Sequence, residues 1–174
     1  MIICAGKSES FAFARAIGVG LVDASISLSE ICIKEKPNEL LFVGSCGIYK
    51  NGKIFDIFES KNGTNIEISS LENNSYTPFE QKIINDVSCE TLINSSTFIT
   101  TNQTLAHKMS DIGCDVENME FYSVLVVAKK FDIPAKGIFV ATNFCNNNAH
   151  SDFIKNHKKA KEILEKYLIE KGLI

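Results

Sequence analysis

Residues 40–47, LLFVGSCG, run apolar without a break and stop on small residues and glycine. A run with no alternation suits a strand buried on both faces, and such a strand belongs in the middle of a sheet covered by helices on either side. AKGIFVATNFCN (135–146) is a second run of this kind, turning polar at its end. MIIC reads as a short apolar strand, and ESFAFARAIG has room for another. GKIFDIFES follows a Lys50-Asn51-Gly52 turn signal and alternates enough to be a strand. TLINSSTFITT (91–101) reads as a strand followed by a loop, whereas residues 60–78 are polar and irregular.

Helical spacing appears between these runs. VDASISLSEICIK (22–34) carries apolar residues at 22, 26, 28, 31 and 33, and its length favours a helix. NQTLAHKM begins another, with Asn102 or Thr101 as cap. Asp115–Phe131 is read as a third, and the tail from Asp152 is a terminal helix with apolar positions 160, 163, 164, 167 and 168. Strands alternating with helices give an α/β fold: one three-layer domain over residues 1–174, with a central mixed, mainly parallel sheet flanked by helices. In such sheets ligands gather beyond the strand C-termini. Three strand ends carry small or polar residues: GSCG at 44–47, SSTF at 95–98 and TNFCN at 142–146.

Charge and cysteine usage exclude several classes. The net charge is −3 with no basic tract, so nucleic acid is not an expected partner. The six cysteines include no CxxC pair and several sit in apolar runs, the pattern of buried reduced thiols in a cytoplasmic protein. That pattern calls for neither a disulfide framework nor a zinc site, and no other metal or cofactor is expected. The opening MIICAGKSES is too short an apolar run for a signal peptide, and no segment is long enough to span a membrane.

One residue stands out. Phe121, Val124, Leu125 and Ala128 make an apolar stripe, and Glu120 falls on or beside it. Either Glu120 is an exposed acid in a first helical turn, interacting with the helix dipole, or a pocket needs its carboxylate.

In order along the chain, IICAGKSE, AIGVGLVDASISLSEICIKEKPNELLFVGSCG, NSSTFIT and VENMEFYSVLVVAKKFDIPAKGIFVATN resemble the motifs of the nucleoside phosphorylase and nucleosidase family. The likeness is strongest to its methylthioadenosine/S-adenosylhomocysteine nucleosidase branch. It implies a purine nucleoside as ligand and cleavage of its N-glycosidic bond. It also implies roles. Glu120 accepts hydrogen bonds from the ribose hydroxyls, as suits an acceptor-only carboxylate facing a diol. Met119 packs on the sugar, and Glu9 activates water. Ser45, Cys46 and Gly47 line the sugar and base. Phe98 stacks on the purine, and Phe153 lies beside it. Family members also pair subunits beside the pocket, which implies a homodimer or larger homo-oligomer.

The chain departs from the family pattern at the base. Thr142 and Asn143 stand where the nucleosidases have Ser-Asp, whose acid protonates the purine, and Phe139 replaces an arginine of the same strand. Residues 48–95 are also fewer than the pattern has. An amide hydrogen-bonds but delivers no full proton. Water as nucleophile makes the chain a nucleosidase. Phosphate would make it a purine nucleoside phosphorylase, with Arg15, the single arginine, and Lys7 as the anion's partners. A catalytically impaired nucleoside-binding homologue is the remaining reading of that family. GVGLVDA has the GxGxxxA spacing of a dinucleotide-binding turn, but no clear strand precedes it and no acid ends the next strand.

Overall fold

The computed structural model describes residues Met1 to Ile174. In chain order the elements are β1 (Ile2–Cys4), β2 (Arg15–Ala16), α1 (Leu21–Glu35), β3 (Leu40–Ile48), β4 (Ile57–Ser60), β5 (Asn62–Thr64), α2 (Ile68–Leu71), β6 (Lys82–Ile84) and β7 (Leu92–Asn94). Then follow α3 (Gln103–Asp111), β8 (Val116–Glu117), α4 (Phe121–Phe131), β9 (Ala135–Phe144) and α5 (Ala149–Glu170). All nine strands join one sheet in the order β2-β1-β3-β8-β7-β5-β6, with β9 on the other side of β3 and β4 beyond β9. Pairing is parallel for β1 with β2 and β3, β3 with β9, β5 with β7 and β7 with β8. It is antiparallel for β3–β8, β4–β9 and β5–β6. The sheet is therefore mixed and mainly parallel, as the unbroken apolar runs require.

β3 is central, and its two faces feed two cores. Phe42, Cys46 and Ile48 join α1 and α4 on one side, with Phe121, Val124, Leu125 and Ala128 of α4 all buried. Leu41 and Val43 join Ala160, Leu164 and Leu168 of α5 on the other. A third cluster under α3 gathers Tyr49, Leu92, Ala106 and Met109. The rings of Phe42, Phe121 and Phe139 lock α4 to the sheet, with Phe121 and Phe139 edge to face at 5.1 Å between centroids.

Four details differ from the sequence reading. The stretch from Asp115 is not helical at its start: Val116 and Glu117 form β8, and α4 begins only at Phe121. Asn118 explains the break, because its Oδ1 accepts from the amides of Glu120 and Phe121, both at 2.9 Å, and so satisfies the first donors of α4. The polar stretch 60–78 holds a strand after all. β5 is fully buried, with Asn62 Nδ2 donating to the carbonyls of Asp86 and Cys89. β6 was not foreseen either. Finally, α1 buries Ala24, Leu28, Ile31 and Cys32, while Val22, Ile26 and Ile33 are 70%, 58% and 63% exposed. Of the apolar positions read in this helix, Leu28 and Ile31 thus face the core beside Ala24 and Cys32, while Val22, Ile26 and Ile33 lie outside it. Five cysteines are buried and Cys89 is half-buried, all as free thiols. No helix is long and apolar enough to cross a membrane.

Truncating the aromatic lock tests this packing. Phe121→Ala is expected to lower unfolding stability by about 3–5 kcal/mol in urea. Phe98→Ala, at a ring that is 76% exposed, should change it by less than about 0.5 kcal/mol.

Candidate active site

Beyond the C-terminal half of β3 the sheet changes partners. β1 pairs with β3 at Leu41 and Phe42, and β8 pairs with it at Gly47 and Ile48. Between these pairings the Ser45 edge has no strand neighbour on that side. Side chains replace one: Ser45 N donates to Glu9 Oε1 at 2.7 Å, and Asn118 Nδ2 donates to the Ser45 carbonyl at 3.1 Å. A cavity of about 290 Å³ opens at this gap.

The cavity gathers Lys7, Glu9, Ser45, Cys46, Gly47, Phe98, Met119, Glu120, Asn143 and Phe153 from the first loop, β3, the loop after β7, the turn before α4, the end of β9 and α5. Of the residues to which the sequence reading gave a binding or catalytic role, only Arg15 is missing. It sits on edge strand β2 with its guanidinium on the Glu35 carboxylate. The expectation that Arg15 binds phosphate is therefore corrected: its ion pair is with a helix acid at the surface, and it does not line the cavity. No arginine lines it at all.

Glu120 is 2% exposed. Its Oε1 accepts from the Gly20 amide at 2.8 Å, at the N-terminus of the 15-residue helix α1. The carboxylate thus does meet a helix dipole, that of α1 and not that of its own helix. Gly20 has φ 85°, a left-handed backbone that suits glycine there. Burial, and then the nearby Glu9 carboxylate, push the Glu120 carboxyl up to about 7, against the Gly20 hydrogen bond that pulls it down.

At the far end of the cavity a bulge sets the chemistry. β9 pairs residue for residue with β3 as far as Ala141 opposite Cys46, and then Asn143, not Thr142, stands opposite Gly47. The extra residue flips Asn143 to the opposite face from Phe139 and Ala141. Phe139 is buried among core rings instead. Gly47 lies between Asn143 and Glu117, its register partners on either side. A Cβ at Gly47 would stand 3.0 Å from Asn143 Nδ2 and 2.9 Å from Cys145 Sγ, so the missing side chain leaves a slot between the amide and the acid. Thr142 Oγ1 donates to Asn143 Oδ1 at 2.9 Å, and Asn143 Nδ2 donates to the Phe144 carbonyl at 3.2 Å.

Sequence reasoning missed Glu117 and Asn118, which also line the cavity. Glu117 Oε1 accepts from Thr100 N at 2.9 Å, tying the loop that bears Phe98 to β8. Its Oε2 is buried without a hydrogen-bond partner, with the Tyr49 phenol and Cys145 thiol as neighbours, and burial raises its pKa. The readable signal for Asn118 was its type: an Asn just before an apolar helical run is a natural cap.

No family model matches the sequence, and no curated protein does. Solved structures match its fold. A mutant of Helicobacter pylori MTAN with 5′-methylthioadenosine in its active site is 15% identical with TM-score 0.80, spanning 97% of this chain and 95% of that one. Native Helicobacter pylori futalosine hydrolase is 15% identical with TM-score 0.80, over 96% and 94%. The 5′-methylthioadenosine/S-adenosylhomocysteine nucleosidase of S. pneumoniae with the transition-state inhibitor MT-ImmA is 12% identical with TM-score 0.78, over 96% and 95%. The chain has the fold of these nucleosidases.

The raised pKa of Glu120 gives a test. The fold favours its neutral form, so the stability this group contributes is complete below its ordinary value of 4.5 and is lost as pH rises through about 7. Glu120→Gln keeps an acceptor for the Gly20 amide and carries no charge. Denaturant unfolding from pH 4 to pH 8 should show the mutant gaining on wild type across that window, by up to about 3 kcal/mol.

Proposed function

We propose that the chain is a divergent member of the nucleoside phosphorylase and nucleosidase family and that it hydrolyses the N-glycosidic bond of a purine nucleoside. The observation that carries this reading is the pair of carboxylates in one cavity, Glu9 and the buried Glu120, close enough for the charge of one to raise the pKa of the other. Glu120 holds the ribose diol, and Met119 packs against the sugar. Glu9, oriented by the Ser45 amide, takes a proton from water as the water attacks the anomeric carbon. Both carboxylates face the positive charge that develops on the sugar ring. Phe98 and Phe153 flank the base. Asn143 offers its amide to the ring, while the proton that the leaving base requires comes from solvent.

Hydrolysis is favoured over phosphorolysis because a phosphate dianion would meet three acids, Glu9, Glu117 and Glu120, with Lys7 the only lysine and no arginine on the cavity wall. A binding-only homologue is the second reading, favoured by one observation: Asn143 carries no ionisable proton. The homo-oligomer belongs to this proposal as well. The exposed Val22, Ile26 and Ile33 form a stripe on α1, whose N-terminus reaches the cavity through Gly20, and a second copy of the chain is its proposed cover. Light scattering at micromolar concentration should find at least a dimer, and a monomer would contradict this.

A panel of purine nucleosides incubated with and without phosphate decides the reaction. Free base without phosphate supports the nucleosidase, base released only with phosphate supports the phosphorylase, and binding without release supports the retired enzyme. For the ribose role, calorimetry should show Glu120→Gln weakening ribonucleoside binding by roughly 1.5–3 kcal/mol per charge-assisted bond. The same substitution should cost a 2′-deoxynucleoside less. Equal affinity of mutant and wild type for both classes would remove Glu120 from the site.

A further inference from the structure

Glu9 is carried by a tight turn whose geometry is not self-sufficient. Gly6 and Lys7 both have positive φ, 95° and 54°, and the second lies on a residue that rarely adopts it. The turn is closed by two backbone bonds, Glu9 N to the Gly6 carbonyl at 3.0 Å and Ser10 N to the Lys7 carbonyl at 3.3 Å. In front, Ser45 N holds the Glu9 carboxylate. Behind, the carbonyls of Ser8 and Ser10, the residues on either side of Glu9, both accept from Lys161 Nζ. Lys161 lies on α5, three residues before Leu164 in the buried face of that helix, so its backbone is anchored by the core. The same ammonium stands 4.9 Å from the centre of the Phe11 ring, which follows in the loop.

An ammonium shared by two carbonyls is a charge-assisted clamp. It spans the one residue of this loop that the reaction needs, and it links that residue to the largest helix. We infer that Lys161 is a positioning residue for Glu9: it fixes the turn that aims the Glu9 carboxylate into the cavity. The inference rests on the reading of Glu9 as the base that activates water, but the clamp itself is a property of the fold. Lys161 does not line the cavity, so its removal leaves the ribose and base contacts in place and acts on the chemical step. Misplacement by an ångström costs catalysis far more than binding.

Lys161→Met removes the ammonium and keeps the stem, and Lys161→Arg restores two-carbonyl donation and the cation over Phe11. Two readouts separate the clamp from the reaction. Amide hydrogen exchange at Glu9 and Ser10 should speed up in Lys161→Met and return toward wild type in Lys161→Arg. With a nucleoside that wild type cleaves, kcat should fall roughly 10–100-fold in Lys161→Met with KM changed less than about twofold, and Lys161→Arg should recover most of the loss. Wild-type exchange in Lys161→Met overturns the clamp, as does a kcat loss that arginine fails to restore. If wild type cleaves no nucleoside, the nucleosidase reading has failed, and exchange alone then decides the clamp. Lys161→Gln is the second neutral variant should methionine impair folding.

Discussion

The backbone of Ser45 needs a partner on an edge where the sheet supplies none. Buried main-chain donors and acceptors are almost always satisfied. On this side of β3, Leu41 N is taken by the Met1 carbonyl, and Gly47 has β8 opposite it. In between, the Glu9 carboxylate and the Asn118 amide take the Ser45 N–H and C=O. That substitution brings the first loop and the turn before α4 to the same point. It therefore creates the cavity and fills its wall with chemistry in one step. Asn118 then uses its remaining oxygen on the first amides of α4, so the strand gap, the helix start and the placement of Glu120 are a single hydrogen-bonded arrangement.

Burying a second acid next to Glu9 is costly, and the fold offsets that cost with a helix end. The Gly20 amide meets Glu120 Oε1, and the α1 dipole adds to it. What remains is a carboxyl held near neutrality by burial and by Glu9, with its second oxygen free for a ligand. A neutral diol gives that oxygen hydrogen-bond donors without adding charge, whereas an anion would add to the repulsion. A ligand that adds no negative charge is thus the one that the electrostatics of the cavity favour.

The sequence was most legible where one physical demand acts alone. β3 and β9 are buried on both faces and read as unbroken apolar runs. α5 is half-exposed and reads by its period. The α4 stripe was found for the same reason, but the residues before it were merged with the helix. Val116 and Glu117 enter the sheet through β7 and β3 pairing that no local pattern records. β5 was hidden because its residues, Asn62, Gly63 and Thr64, satisfy polar side chains inside the fold and carry no apolar signature. In α1 the apolar positions split, with Leu28 and Ile31 entering the core beside Ala24 and Cys32 while Val22, Ile26 and Ile33 lie outside it. That residues so far apart as Glu9, Ser45, Phe98, Glu120 and Asn143 line one cavity was legible only through the resemblance, because no local pattern brings them together. Arg15 failed because its nearest acid, Glu35, lies 20 positions away and takes the charge.

The base end of the cavity shows how one inserted residue can decide a site. With continuous pairing, Asn143 would share a face with Phe139 and Ala141 and point beneath α4. The bulge at Thr142 sends it to the other face, opposite Gly47, where the absent side chain leaves space beside it. The same bulge separates positions 139 and 143, so an arginine at 139 would have no route to the amide and would sit instead against Phe42 and Phe121. An unpaired cation there would cost far more than the aromatic packing now present. Phe139 is thus the residue that the bulged geometry favours, and with a neutral Asn143 nothing at this end requires a buried positive charge. Glu117 is the one acid left beside the slot, tied to Thr100 by one oxygen and unpaired at the other.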